Sequence, residues 1–282
     1  MFSKIRNLPS AHNNVLLFCT FISGSGIGVG FMGLCTCVST WFKRHLPVAS
    51  GIATSAIGLS TFLYPPIIRA LQDGYSWRGA YILLAAIVVQ YLVVACFVKP
   101  NPTYTTCQPS TSQKFLQKYL QVQLLEDKRF LLLLVFKVVV HLGISIVFVH
   151  LESFASTLQI DTTDWAIPVY GLSNCVGRAL LGVVGNIWPV NATGMMAVFI
   201  TLSGIAIGSL PYFSSELGLL LCTAVYGLFS GVLGYATFVI LVEYFSVHTL
   251  PGAYGYVLLA DGVGFLLGAP AAGEIFGLTP AP

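Results

Sequence analysis

Few residues in this chain can do chemistry, and most of them stand inside apolar stretches. Arg178 is the one charged residue of the run Ala166–Gly185, within NCVGRALLG. A planar guanidinium offers a fork of donors that matches a carboxylate. Arg178 is therefore a candidate anchor for an acidic substrate; the other reading is a structural ion pair or a side chain reaching for the membrane surface. Lys137 and His141 are four residues apart and share one face of a helix. Lys137 either snorkels to the surface or lies on a proton or ion pathway. His141 is deeper and titrates in the range a proton relay needs, unless it is a hydrogen-bonded histidine of the bundle. Asp261 sits in the middle of the run Gly252–Gly273. It is a candidate proton site, or else the partner of Arg178. There is no Ser-His-Asp spacing, no pair of catalytic carboxylates and no phosphate loop, so the chain is not expected to be an enzyme.

Such residues need a scaffold, and composition says which. Charged residues are 8% of the 282 and apolar residues 56%, whereas soluble domains carry roughly 25% charge. Mean hydropathy is +0.84. A fold in water could not cover its surface with so few charges. Eight continuous apolar runs of about 20 residues, the length that crosses a bilayer core, cover Val15–Ser39, Pro47–Leu71, Gly79–Val98, Phe130–Phe154, Ala166–Gly185, Ala192–Phe213, Leu217–Val242 and Gly252–Gly273. Helices, rather than the alternating segments of a barrel, satisfy the backbone there. The expected fold is an all-α, multi-pass membrane protein of about eight transmembrane helices. A charge at the bilayer centre costs roughly 3 kcal/mol or more, which is why Arg178 and Asp261 stand out. The net charge of +3 is unevenly placed. Lys43, Arg44, Lys99, Lys114, Lys118, Lys128 and Arg129 fall on one side of an alternating topology, which the positive-inside rule assigns to the cytoplasm.

The chain repeats itself. With an offset of 203, Cys19, Thr20, Gly24, Gly28, Phe42 and His45 meet Cys222, Thr223, Gly227, Gly231, Phe245 and His248. One inserted residue carries the match onward: Leu46, Pro47, Gly51, Gly58 and Pro66 meet Leu250, Pro251, Gly255, Gly262 and Pro270. At the position of Asp261 the first copy has Ile57. Duplicated bundles in one membrane chain mark transporters, with the site between the repeats. Completing the symmetry gives six helices in each half, so the chain reads as helices four to eleven of twelve. The expected organisation is a partial bundle of three helices over 1–98, a cytoplasmic linker over 99–129, in which Phe115–Leu125 forms either a short interfacial helix or solvated linker, and a partial bundle of five helices over 130–282. A chain so truncated is expected not to concentrate a substrate unaided. The alternative function is a non-transporting isoform or a regulatory partner of a full-length relative.

Gly28, Gly30 and Gly33 spell G-x-G-x-x-G, a nucleotide-phosphate fingerprint that requires a strand before it and a helix after it. Here it lies inside one apolar helix. Gly24 and Gly28, and Gly26 and Gly30, share helix faces, and the second copy keeps Gly227 and Gly231. Small residues at this spacing let helix backbones approach closely in lipid. Gly24, Gly28, Gly30, Gly227 and Gly231 are thus expected to serve helix packing, the first three lacking their close partner if the chain is truncated. Cys35 and Cys37 point about 200° apart on a helix, so no metal site is expected. Neither a cofactor nor a nucleic-acid partner is expected.

Trp41-Phe42-Lys43-Arg44-His45-Leu46-Pro47-Val48-Ala49-Ser50-Gly51-Ile52-Ala53 resembles the loop between helices four and five of monocarboxylate transporters, a branch of the major facilitator superfamily. Ser76-Trp77-Arg78-Gly79-Ala80 is similar to the start of that family's sixth helix, and GFLLGAPAAG (264–273) to its eleventh, with Ala269 in place of a proline. The resemblance implies a plasma-membrane transporter of small organic acids working by alternating access. It also implies proton symport in several members and a single-span immunoglobulin-like accessory glycoprotein for some. The family's eighth helix carries Asp-x-x-x-Arg, implicated in proton and substrate binding. Asn174 and Arg178 occupy that spacing here, and asparagine cannot hold the proton.

Overall fold

Ten consecutive residues, Val232–Leu241, are buried. A helix apolar all round and covered on every side belongs at the centre of a bundle, and this one is the axis about which the others pack. The computed structural model describes residues 10–42, 45–97, 122–157, 163–187, 191–213, 215–245 and 250–278. In chain order the helices are α1 (Ser10–Trp41), α2 (Leu46–Phe97), α3 (Lys128–Thr157), α4 (Thr163–Ile187), α5 (Ala192–Gly208), α6 (Glu216–Ser230), α7 (Val232–Tyr244) and α8 (Leu250–Leu278). Short 3-10 turns cover Val122–Glu126 and Leu210–Tyr212. No strand occurs among the described residues. The linker expected over 99–129 lies mostly outside them, as does most of the segment Phe115–Leu125.

Three of the eight apolar runs behave differently from expectation. The second and third are one continuous helix, α2, of 52 residues. Among the described residues seven helical stretches are long and apolar enough to cross a membrane; Gly79–Tyr91, within α2, is a shorter apolar helix. The segment Asp73-Gly74-Tyr75-Ser76-Trp77-Arg78-Gly79 contains no proline. Its isolated glycines lower helix propensity by about 1 kcal/mol each without ending the helix. The seventh run is interrupted. α6 stops at Ser230, Gly231 caps it through its N–H to Gly227 O, and α7 begins at Val232. Together they form one span, Glu216–Tyr244, whose central part is mostly buried, whereas the span of α1 is almost entirely uncovered.

Glycine contacts set the helix pairs. α2 packs along α4 and α3 along α8. A Cβ at Gly51 would lie 2.8 Å from Arg178 O and 3.0 Å from Gly182 Cα. One at Gly58 would lie 2.7 Å from Cys175 Cα and 2.8 Å from Gly171 O. On the other side of α4, a Cβ at Gly227 would lie 2.6 Å from Tyr170 O, and one at Gly231 2.8 Å from Arg178 N. The first-copy glycines differ. Gly24 and Gly28 have open space where a Cβ would stand, and Gly30 faces the ring of Tyr91 at 2.8 Å.

A leucine at Gly58 must push α2 off α4. Overpacking of this kind costs about 1–3 kcal/mol, so Gly58→Leu lowers the melting temperature of the detergent-solubilised chain. Gly24→Leu, which enters open space, leaves it unchanged. Equal melting of the two variants would refute the seam.

Candidate functional site

The site begins on α4, where Tyr170, Asn174 and Arg178 recur every four residues on one face. Arg178 Nε donates to Asn174 Oδ1 at 2.7 Å. The Asn174 amide donates to Gly227 O and to Ser230 Oγ, both at 3.1 Å. Ser230 Oγ in turn donates to Gly227 O at 3.0 Å and lies 3.3 Å from Tyr170 Oη. These bonds orient the amide so that its oxygen faces the guanidinium. Asn174 is 2% exposed, so the network is buried and satisfied without a negative charge. The guanidinium then passes over Gly234 of α7, where any side chain would collide with Nη1, and beside Thr54 of α2. Arg178 is half-buried. Among the described residues no carboxylate lies within ion-pair distance of it.

A second cluster forms where α3 meets α8. Lys137 Nζ is 3.3 Å and His141 Nδ1 2.9 Å from Asp261 Oδ1. Oδ1 is buried and receives no directed hydrogen bond; two cationic or polar groups converge on it by electrostatic attraction. Lys137 is 3% exposed and also donates to Thr237 Oγ1 of α7 at 3.4 Å. His141 Nδ1 lies 3.0 Å from Lys137 O. With Asp261 ionised, both neighbours of Nδ1 are acceptors, so that nitrogen carries the hydrogen. The helices come this close because of Gly264 and Gly268. A Cβ at Gly264 would stand 2.5 Å from Val138 O, and one at Gly268 2.5 Å from Leu142 O. Ser145 Oγ closes the seam by donating to Phe265 O at 2.9 Å.

The structure places two residues whose surroundings the sequence alone left open. Lys137 does not snorkel; it is buried and paired. Asp261 is not the partner of Arg178; Lys137 and His141 hold it. The reason is the face on which each stands. Asp261, Gly264 and Gly268 share the side of α8 that meets α3, whereas Arg178 lies between α2 and α7. The neighbours Ser230, Thr237, Tyr170, Gly264 and Gly268 were not singled out from sequence as site residues. Gly264 and Gly268 had a signal, the spacing G-x-x-x-G; Ser230 and Thr237 had none. Among the described residues no group of histidine, cysteine, aspartate and glutamate could hold a metal ion.

Arg178 and Lys137 are within electrostatic reach of one another. Among the described residues, Asp261 lies within ion-pair distance of Lys137 and no carboxylate lies that close to Arg178. The helix-spanning frame and these contacts coincide with a match to the family model of the Major Facilitator Superfamily over residues 2–206. The chain belongs to the Major Facilitator Superfamily. Its sequence is similar to that of monocarboxylate transporter 13 from Bos taurus, 30% identical over 260 residues, which are 92% of this chain and 60% of that protein. Similarity extends to monocarboxylate transporter 4 from Mus musculus, 23% identical over 92% of this chain and 56% of that protein. Monocarboxylate transporter 2 from Rattus norvegicus is 22% identical, with 92% and 58% covered. The chain thus spans about 60% of the length of the curated relatives it matches. Like other members of the superfamily it is a multi-pass membrane protein.

Removing the charge of Asp261 strands Lys137. Breaking a buried pair on one side costs about 3–5 kcal/mol, whereas replacing both partners can be neutral. Asp261→Asn therefore melts lower than the unaltered chain, and Asp261→Asn with Lys137→Met recovers most of the loss. An additive double variant would show that the pair is not coupled.

Proposed function

We propose that this chain moves small monocarboxylates across the plasma membrane by alternating access between its two halves, with Arg178 as the substrate anchor. The observation that carries this reading is the guanidinium itself. It is oriented by a neutral asparagine, lies between α2 of one half and α4 and α7 of the other, and has no carboxylate of the described chain to neutralise it. The names of the relatives support the substrate class. A carboxylate arriving there would receive the Nη donors that Asn174 leaves unused. Asn174 does not titrate, so any proton coupling runs through Asp261 with His141 and Lys137. Asp261 is the carboxylate that Lys137 and His141 hold between α3 and α8.

Binding tests the anchor independently of transport. Binding of a radiolabelled short-chain monocarboxylate such as propionate to the purified chain weakens about ten- to hundredfold in Arg178→Gln, since hydrogen bonds to charged groups are worth roughly 1.5–3 kcal/mol. Arg178→Lys restores it only in part, because the fork is lost. Unchanged binding in Arg178→Gln would remove Arg178 from the site. In proteoliposomes, Asp261→Asn makes net uptake insensitive to an inward pH gradient while counterflow of preloaded substrate persists. A retained pH response would place the proton elsewhere.

One observation favours the second reading, a non-transporting isoform or a regulatory partner of a full-length relative. Gly51 and Gly58 press against α4, but their repeat mates Gly255 and Gly262 on α8 have open space beside them. Accumulation of substrate by the purified chain alone would exclude this reading; a changed uptake rate of a full-length relative when this chain is co-reconstituted with it would favour it.

A further inference from the structure

Away from both charge clusters, an apolar slot of about 430 Å³ opens on the outside of the bundle. α3 packs along α8, and α5 packs along α6 and α7; the slot is the space left between α3 and the α5/α7 pair. Leu133, Phe136, Met196 and Ile240 form its walls, and Arg129 and Tyr244 stand at one end. Arg129 is in the first turn of α3 and Tyr244 in the last turn of α7, so this end is an end of the bundle. From Arg129 to Phe136 the slot runs inward by about 10 Å along α3. The mouth faces outward: Leu132 is 72% exposed and Tyr244 48%. The carboxylate nearest in sequence, Asp127, is turned into the helix start, where its Oδ1 accepts from Arg129 N at 2.9 Å. Among the described residues no carboxylate is paired with the Arg129 guanidinium.

A polar, cationic rim above an apolar trough of this depth matches one kind of molecule. We propose that the slot is a binding site for an anionic glycerophospholipid of the leaflet that meets the start of α3. The phosphate-bearing headgroup lies on Arg129, beside exposed Lys128 and within reach of the Tyr244 hydroxyl, and the upper part of one acyl chain lies between Phe136, Met196 and Ile240. Charge selects the headgroup: a basic residue at an anionic membrane surface is worth about a fivefold preference. Shape selects an acyl chain, because apart from Arg129 and Tyr244 at the rim the lining is apolar but for Thr193. The occupied slot would fill the gap between α3, which carries Lys137 and His141, and the α5/α7 pair.

The test uses the full chain in phosphatidylcholine vesicles doped with a phospholipid whose acyl chain carries a photoactivatable group. A phosphatidylserine probe should label peptides containing Phe136 and Met196 more strongly than a phosphatidylcholine probe. Arg129→Gln should lower phosphatidylserine labelling about fivefold and leave phosphatidylcholine labelling as it was. Ala197→Trp, which fills the slot from its α5 wall, should abolish labelling of both peptides; Arg129→Gln, at an exposed position, keeps the test decisive if the tryptophan disturbs folding. Equal labelling by the two probes, or labelling unaffected by Arg129→Gln, would reduce the slot to ordinary boundary lipid and overturn the proposal. So would a photoactivatable free fatty acid that labels the same peptides as strongly as phosphatidylserine.

Discussion

Lipid tails are as apolar as leucine, so burying leucine against leucine does little to hold two membrane helices together. What remains is close backbone approach, and this chain obtains it with glycine. α4 is the helix most dependent on it. Gly51 and Gly58 of α2 lie against one side, and Gly227 and Gly231 against the other. The helix that carries Arg178 is therefore gripped at main-chain distance from both directions, and the position of the guanidinium follows from that grip. The same device on α8, Gly264 and Gly268, brings Asp261 against Lys137 and His141. Without these seams the charged groups would be too far apart to satisfy one another.

The interior charges divide into two sets with different chemistry. Arg178 is bonded to a neutral amide, Asn174, and the network behind that amide, Ser230, Tyr170 and the Gly227 carbonyl, is neutral as well. That environment holds the cation in place and leaves its charge uncompensated. Around Asp261 the partners are a lysine and an imidazole, which compensate the carboxylate. Coulomb attraction in a poorly polarisable interior is strong, so the second set is held by opposite charges, whereas the first is held by neutral hydrogen bonds alone. An aspartate at 174 would have made both sets alike.

The chain announced its class in its composition and its runs, because a bilayer imposes length and polarity on every crossing segment. It announced less about boundaries. The stretch Asp73–Gly79 looks like a connection by its polarity, yet polarity and isolated glycine do not stop a helix as proline would. Arg178, Asn174, Lys137, His141 and Asp261 were all visible as candidates, since an ionisable residue in an apolar run is conspicuous. Which of them meet was not visible. Pairing depends on how each helix is rotated and on which neighbour it faces, and those are properties of the packed bundle. Gly264 and Gly268 held that information in their spacing; Ser230 and Thr237 are polar residues of kinds common in membrane helices and carry no such mark.

The interruption between α6 and α7 has a mechanical meaning. A continuous helix resists bending because each turn is tied to the next by hydrogen bonds. Here the ladder is re-formed at Gly231, whose N–H reaches Gly227 O at 3.2 Å and whose carbonyl accepts from Gly234 N at 3.2 Å. The span thus has a joint, and the joint rests on Arg178 N. A swing of α7 relative to α6 turns about a fulcrum touching the residue that carries the free charge, so the lever and its load share one point of contact.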